Sequence, residues 1–487
     1  MIKTYLNSLR QRYQQWKKGL TDRRLRTVTG VLLTQLLVGI VPLFVFVGVA
    51  AASNAAMGVG SASRDPVAVP RWLYLTTGGA TIGASALLAS FVTDRTLIRA
   101  IHRWQRNIIN PSRILQFFRK GVGFLSVGLL VLTIYLGFTG PQVPTVSFAI
   151  VLVFIGFRAG FTMATYLVGN IWPALNPWRT ITTYLPHGFV AYPESLDRWP
   201  AVGGLLVLIL VETVLPVTRQ PRLLAIALLL YSFVTILGSV LVGPEDWFEN
   251  ADPVSVFFLF YGQVSPFTWD ENGLSVQLPG MALISEKFVS DLSDIAMIVL
   301  LVWELTFTGF VTTQVGNSFV SALAGRIPAL LIYLGIYLGG FGLFLGGYLT
   351  ASKYAPKWIS TFKSPEQFAK RFAPPLLAIA AGYHLAHYFG FFLSLSPSMI
   401  QVIGSPFSPP ANPTVLTLPA WVSGLNIAFV LLGHLLAIWV AHSIAYEWFP
   451  SRMQAIRSQY PFIGVMIVYT VISLWLISLP TASSIVI

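Results

Sequence analysis

The sequence predicts an all-α, polytopic transmembrane helical bundle, and three observations predict it. Of 487 residues, 55% are hydrophobic and only 10% are charged, where soluble domains carry about 25% charged residues. The mean hydropathy is +0.71. The apolar residues gather into runs of about 20, the length that crosses a bilayer. A soluble enzyme, a disordered tail protein and a secreted disulfide scaffold are excluded. With no cysteine in the chain there is no disulfide, thiolate metal site or Cys nucleophile. The net charge of +13 reads as contact with an anionic lipid leaflet rather than with nucleic acid.

Taken in order, apolar runs lie near 28–51, 72–93, 121–139, 144–168, 200–217, 223–243, 293–314, 327–350, 372–396, 421–444 and 461–480, which makes 11 spans. Ahead of them, Ile2, Leu6, Leu9, Tyr13, Trp16 and Leu20 recur at three and four residues among Lys and Arg, a basic amphipathic helix that lies on a leaflet. Alternating crossings put 25 of the 31 Lys and Arg on one side. Five fall on the other (Arg64, Arg71, Arg219, Arg222, Arg326), and Arg158 lies inside a span. Lys and Arg face the cytoplasm, so the N-terminus is expected inside, the C-terminus outside, and the protein in the plasma membrane. The acidic stretch 244–291 is then placed inside, with a re-entrant piece at 253–266 as the alternative. The loop 98–118 reads as a second interfacial segment. The chain divides into a leader plus first helix (1–64), a polytopic domain (65–480) and a short outside tail (481–487). The expected partners are the lipid bilayer, anionic lipids at the cytoplasmic face, a small hydrophobic or ionic ligand, and membrane partner subunits.

No Walker A, Rossmann, HExxH or GxSxG signature is present in a workable context. Chemistry therefore belongs to groups inside the membrane, where ionisable residues are costly and each is a functional candidate. Arg158, Glu212 and Glu304 lie in three different spans. They form either a charge relay for protons or ions, or a set that neutralises itself and holds the bundle together.

Four of the six His fall in two consecutive spans: His384 and His387 in AAGYHLAHYFG, His434 and His442 in LLGHLLAIWVAH. His384 lies about 12 residues from the cytoplasmic end of its span and His434 about 10 from the same end of the next. At 1.5 Å per residue, their depths agree within ~3 Å. Imidazoles so placed suit zinc, copper or iron, or a haem, with His384, His387 and His434 as ligands. His442 is a fourth ligand or part of a separate proton path. The alternatives are proton or quinone handling, and hydrogen bonding to backbone carbonyls. Gly382 and Gly433 beside these His allow close helix approach.

The segment GNIWPALNPWRT (169–180) breaks a helix at Pro173 and Pro177, with Asn170 and Asn176 able to satisfy freed backbone groups and Arg179 facing headgroups or an anionic ligand. A second Trp-to-Pro element, WFENADPVSVFF (247–258), follows on the same side. Together they suggest a vestibule. These two elements, then GY-x-x-AHY-F, GH with a downstream AH, and the closing VYT segment resemble a family of prokaryotic polytopic membrane proteins often labelled fenitrothion hydrolase. The likeness covers roughly 65–480. It implies motif positions at Asn170, Trp172, Asn176, Pro177, Trp178, Arg179, Asp252, His387, His434 and His442, and a ligand-binding role for Asn170, Asn176, Trp178, Arg179 and Asp252. The chain departs from the family's Asp-Pro after the ninth span, having Ser405-Pro406. The resemblance implies a hydrolase. Read from the residues, the function is an intramembrane His-lined metal or haem site, a proton-coupled secondary transporter, or an accessory subunit of a respiratory complex.

Overall fold

The computed structural model describes residues 92–479 apart from 93, 110–112, 271–272 and 478, with Gly83 and Ser85 as isolated positions before them. The amphipathic leader, the expected spans 28–51 and 72–93, and the tail 481–487 lie outside the described residues, those isolated positions aside. What is described is overwhelmingly helical, and eight of its helices are long and apolar enough to cross a membrane.

Helix α1 (Arg95–His102) is capped by Asp94, whose carboxylate accepts from the Thr96 and Leu97 amides. After strand β1 (Gln105–Ile109) comes α2 (Arg113–Thr139). The continuous helix α3 (Phe148–Leu167) is wound as a π-helix over Val151–Phe161. Two short helices, α4 (Trp172–Leu175) and α5 (Pro177–Thr183), carry the NPWR turn. Helices α6 (Trp199–Val214) and α7 (Pro221–Val242) follow. The buried helix α8 (Pro253–Gly262) leads into strands β2 (Phe267–Asp270) and β3 (Gly273–Gln277). Then follow α9 (Leu292–Val311), α10 (Gln314–Ala324), α11 (Ala329–Tyr354), α12 (Pro365–Phe372), α13 (Pro375–Gly404), α14 (Ala420–Trp448) and α15 (Arg452–Ile477).

Every expected run from 121 onward coincides with a span except 200–217. There α6 has 16 residues, ~24 Å at 1.5 Å each, short of a ~30 Å hydrocarbon core. Pro216 stops it, because it cannot donate to the helix ladder. Its acidic residue, Glu212, thereby lies within the last turn.

Contacts between loops fall on two faces. On one, β1 pairs antiparallel with β3, and β3 with β2, in the order β1-β3-β2. Arg95 donates to the Phe449 and Pro450 carbonyls at 2.7 and 2.6 Å. Arg198 pairs with Asp294 at 2.5 Å, Arg371 donates to the Ile284 carbonyl at 2.6 Å, and Gln454 to that of Ser360 at 2.8 Å. On the other face, Ser394 donates to the Leu416 carbonyl and Ser398 to that of Thr145. Each contact joins loops that alternating crossings place on one side. The strand pairing in particular ties the acidic 244–291 segment to the basic 95–120 loop. We call these the sheet face and the opposite face. Helix α8 begins and ends among sheet-face segments and is buried along its length, the setting in which a partial helix is tolerated at membrane depth.

Helix α9 is buried on nearly all sides and forms the bundle's centre. Beside it α13 and α14 cross with almost no separation. A Cβ on Gly382 would meet the Phe429 carbonyl oxygen at 2.6 Å and Gly433 Cα at 2.8 Å; one on Gly433 would meet the Ala378 carbonyl oxygen at 2.6 Å. This is the small-residue contact that lets membrane helices gain van der Waals packing where the hydrophobic effect gives none.

Candidate intramembrane charge cluster

The bundle brings Arg158, Glu212 and Glu304 together. Helices α6 and α9 both leave the sheet face. Glu212 is 13 residues beyond Trp199 and Glu304 is 12 beyond Leu292, so their depths agree within ~2 Å. Helix α3 runs the other way and presents Arg158 between them. Its Nε donates to Glu212 Oε2 at 3.3 Å and its Nη2 to Glu304 Oε2 at 2.5 Å. Glu304 is fully buried, while the side chains of Arg158 and Glu212 are 14% and 23% exposed. The cluster therefore reaches the molecular surface through Glu212. The guanidinium also lies over the rings of Tyr388 at 5.2 Å and Phe257 at 5.8 Å, an attraction that strengthens when the cation is desolvated.

The π-winding of α3 shapes this centre. In a π-helix the backbone bonds run from i to i+5, and such segments are rare and frequent at functional sites. The Arg158 carbonyl is reached from outside its own helix by His384 Nε2, at 3.2 Å. The other ring nitrogen of His384 meets the Tyr166 hydroxyl at 3.1 Å. The rings of Tyr166, Tyr261 and His384 pack at centroid distances of 5.6–5.9 Å. His384 thus joins the charge cluster as a neighbour of its arginine.

The other imidazoles are engaged elsewhere. His434 Nδ1 bonds its own helix at the Val430 carbonyl, 2.7 Å away, and Nε2 meets the Thr470 hydroxyl of α15. His442 Nε2 bonds the Val92 carbonyl at 2.8 Å, with Gln459 at its Nδ1. His387 packs against Tyr383, ring to ring at 4.6 Å. Among the described residues no group of three or more His, Cys, Asp or Glu could hold a metal ion. The rings of His384 and His434 do not share a direction. Gly382 and Gly433 face each other at the crossing. His384 is two residues past Gly382, ~200° round its helix, and His434 one residue past Gly433, ~100° round. Both rings therefore point away from the shared seam.

The two Trp-to-Pro elements meet each other. Asn176 caps α5 by accepting from the Arg179 amide at 2.9 Å, and Asn170 accepts from the Trp172 amide at 3.0 Å. Asp252 caps α8 through the Ser255 amide at 2.8 Å and accepts from Tyr231 and Thr235 at 2.5 and 3.0 Å. The Ser255 hydroxyl then receives both Trp172 Nε1 and Asn176 Nδ2, at 3.0 and 3.1 Å. Trp178 Nε1 donates to Ser232 at 2.8 Å, and Arg179 pairs with the exposed Glu245. The broken turns are locked together by mutual capping, with Phe157, Phe161, Trp172 and Phe258 packed beneath them.

Sequence reading missed the tyrosines. Tyr166, Tyr261, Tyr337 and Tyr388 stand around the cluster, whereas tyrosine in a span is ordinarily assigned to the membrane interface. Tyr337 and Tyr388 lie well inside their helices, and that position carried the signal; Tyr166 and Tyr261 are each one residue from a helix end and gave none. Set against known protein families, curated proteins and solved structures, the chain matches none.

Proposed function

We propose that the protein is a multi-pass plasma-membrane protein, sheet face inward, that takes up and releases a proton at the Arg158–Glu212–Glu304 centre, as a proton-coupled secondary transporter does. One observation carries this reading: a single guanidinium serves two carboxylates from separate helices. Two negative charges against one positive leave the set at −1, and a buried set in low dielectric is driven toward neutrality. One proton supplies it, and the two carboxylates that share the guanidinium are the groups that can take it. The lysine and arginine excess of the sheet face supports its inward placement.

The hydrolytic reading implied by the resemblance needs a metal-activated water. The separate engagements of His384, His434 and His442 speak against it, as does the lack of a three-donor group among the described residues. The test is infrared titration of the full-length protein in lipid. A carboxylic-acid band that grows on acidification and is missing in Glu304→Gln is expected. An identical band in both refutes the proposal. Metal content is measured alongside: near-stoichiometric zinc, copper or iron, lost in His434→Ala, would favour the hydrolytic reading instead.

A further inference from the structure

Among the described residues, four buried polar atoms around the charge cluster have no hydrogen-bond partner: Arg158 Nη1, Glu304 Oε1, and the hydroxyls of Tyr261 and Tyr337. Glu304, Tyr261 and Tyr337 are at most 1% exposed. Buried polar groups are ordinarily satisfied, by protein or by ordered water. Both phenols lie within electrostatic reach of Glu304 and Arg158, and the packing places them on opposite flanks. Tyr261 packs against Tyr166 and edge-on against His384, toward the sheet face. Tyr337 packs on Phe307 at 4.6 Å, nearly one turn beyond Glu304 toward the opposite face, and its carbonyl is held by Trp303 Nε1 at 2.9 Å.

The chemistry of the four atoms narrows their ligand. One is an N–H donor, one a carboxylate acceptor, and two are hydroxyls that do both. An anion would be repelled by Glu212 and Glu304, and a metal cation by Arg158. Water, which donates and accepts, complements all four, and polar sites of this kind hold it. We propose that Tyr261 and Tyr337 bind ordered water on either side of Glu304 and so form a proton path across the cluster. This rests on the proton-handling reading above. A proton arriving on the Tyr337 side passes through water to Glu304 Oε1, which becomes a carboxylic acid. The acid then gives a proton to water on the Tyr261 side. Each phenol accepts one proton at its oxygen as it gives up its own and ends unchanged. One proton enters, one leaves, and only O–H bonds are exchanged.

The experiment follows the carboxylic-acid band of the full-length protein in lipid after a pH step, in wild type, Tyr261→Phe, Tyr337→Phe and Glu304→Gln. Phenylalanine keeps the ring packing, and thermal unfolding checks that each variant folds. The expected result is a band of unchanged amplitude and midpoint in both Phe variants, with proton exchange slowed about ten-fold or more. An O–H stretch sensitive to ¹⁸O-water should also be lost. Wild-type exchange rates in both Phe variants overturn the path while leaving the proton-handling reading standing. A band that Glu304→Gln does not alter removes both.

Discussion

The crossing of α13 and α14 predicts that one methyl group at Gly382 is enough to loosen the bundle. That methyl would lie 2.6 Å from the Phe429 carbonyl oxygen and 2.8 Å from Gly433 Cα, where ordinary contact begins at 3.4 Å. Both obstacles are backbone, so no side chain can turn aside and the helices must part by 0.6–0.8 Å. Overpacking of this size costs about 1–3 kcal/mol, each kcal/mol being about five-fold in the folding equilibrium. Helix propensity works the other way, since alanine is favoured over glycine by about 1 kcal/mol. The net expectation for Gly382→Ala is a loss of up to about 2 kcal/mol. Gly346→Ala provides the control: nothing lies within 4 Å of a Cβ there, so the propensity gain stands alone. The assay is the fraction of detergent-solubilised protein that stays monodisperse after heating. Gly382→Ala unfolding well below Gly346→Ala is the expected result, and coincident curves would refute the argument. Because His384 lies two residues beyond Gly382, the same shift should weaken its hold on the Arg158 carbonyl.

Three further outcomes follow from particular contacts. Arg158→Ala leaves Glu304 buried without its cation and should cost about 3–5 kcal/mol, part of which Glu304→Gln in the same chain restores; simple additivity in denaturant titrations would show that the two do not interact. Ser255→Ala removes the acceptor of both Trp172 and Asn176 and should cost about 1–3 kcal/mol for each stranded donor. Ser126→Ala should be nearly neutral beside it, since that hydroxyl bonds only within its own helix. His102, outside the spans, has its pKa lowered from 6.5 to about 4 by burial and then by the charge of Arg371. The unfolded chain therefore binds the proton more readily, so stability from this group is complete above pH 6.5 and is lost as the pH falls toward 4. His102→Gln should flatten that part of the thermal stability–pH profile, and an unchanged slope would rule His102 out as its source.

Span positions were legible because each is decided within about twenty residues, by apolar length against bilayer thickness. The exception, α6, was stopped by Pro216 inside an apolar run, a local cause that hydropathy averages away. The convergence of Arg158, Glu212 and Glu304 was legible for a related reason. An unpaired charge in a span is so costly that three of them on three helices had good reason to meet. Histidine carries no such compulsion. A neutral imidazole is content with one carbonyl and one hydroxyl, as His434 is with Val430 and Thr470. The similar depth expected from the sequence therefore did not decide where the rings point. Rotation about the helix axis decides it, and the glycines at 382 and 433 fix that rotation by claiming the seam for themselves. The same pair of residues that suggested room for a metal between the helices instead brings the backbones into contact. In doing so it turns His384 toward the π-wound turn that carries Arg158, where a mid-helix imidazole becomes part of the charge cluster.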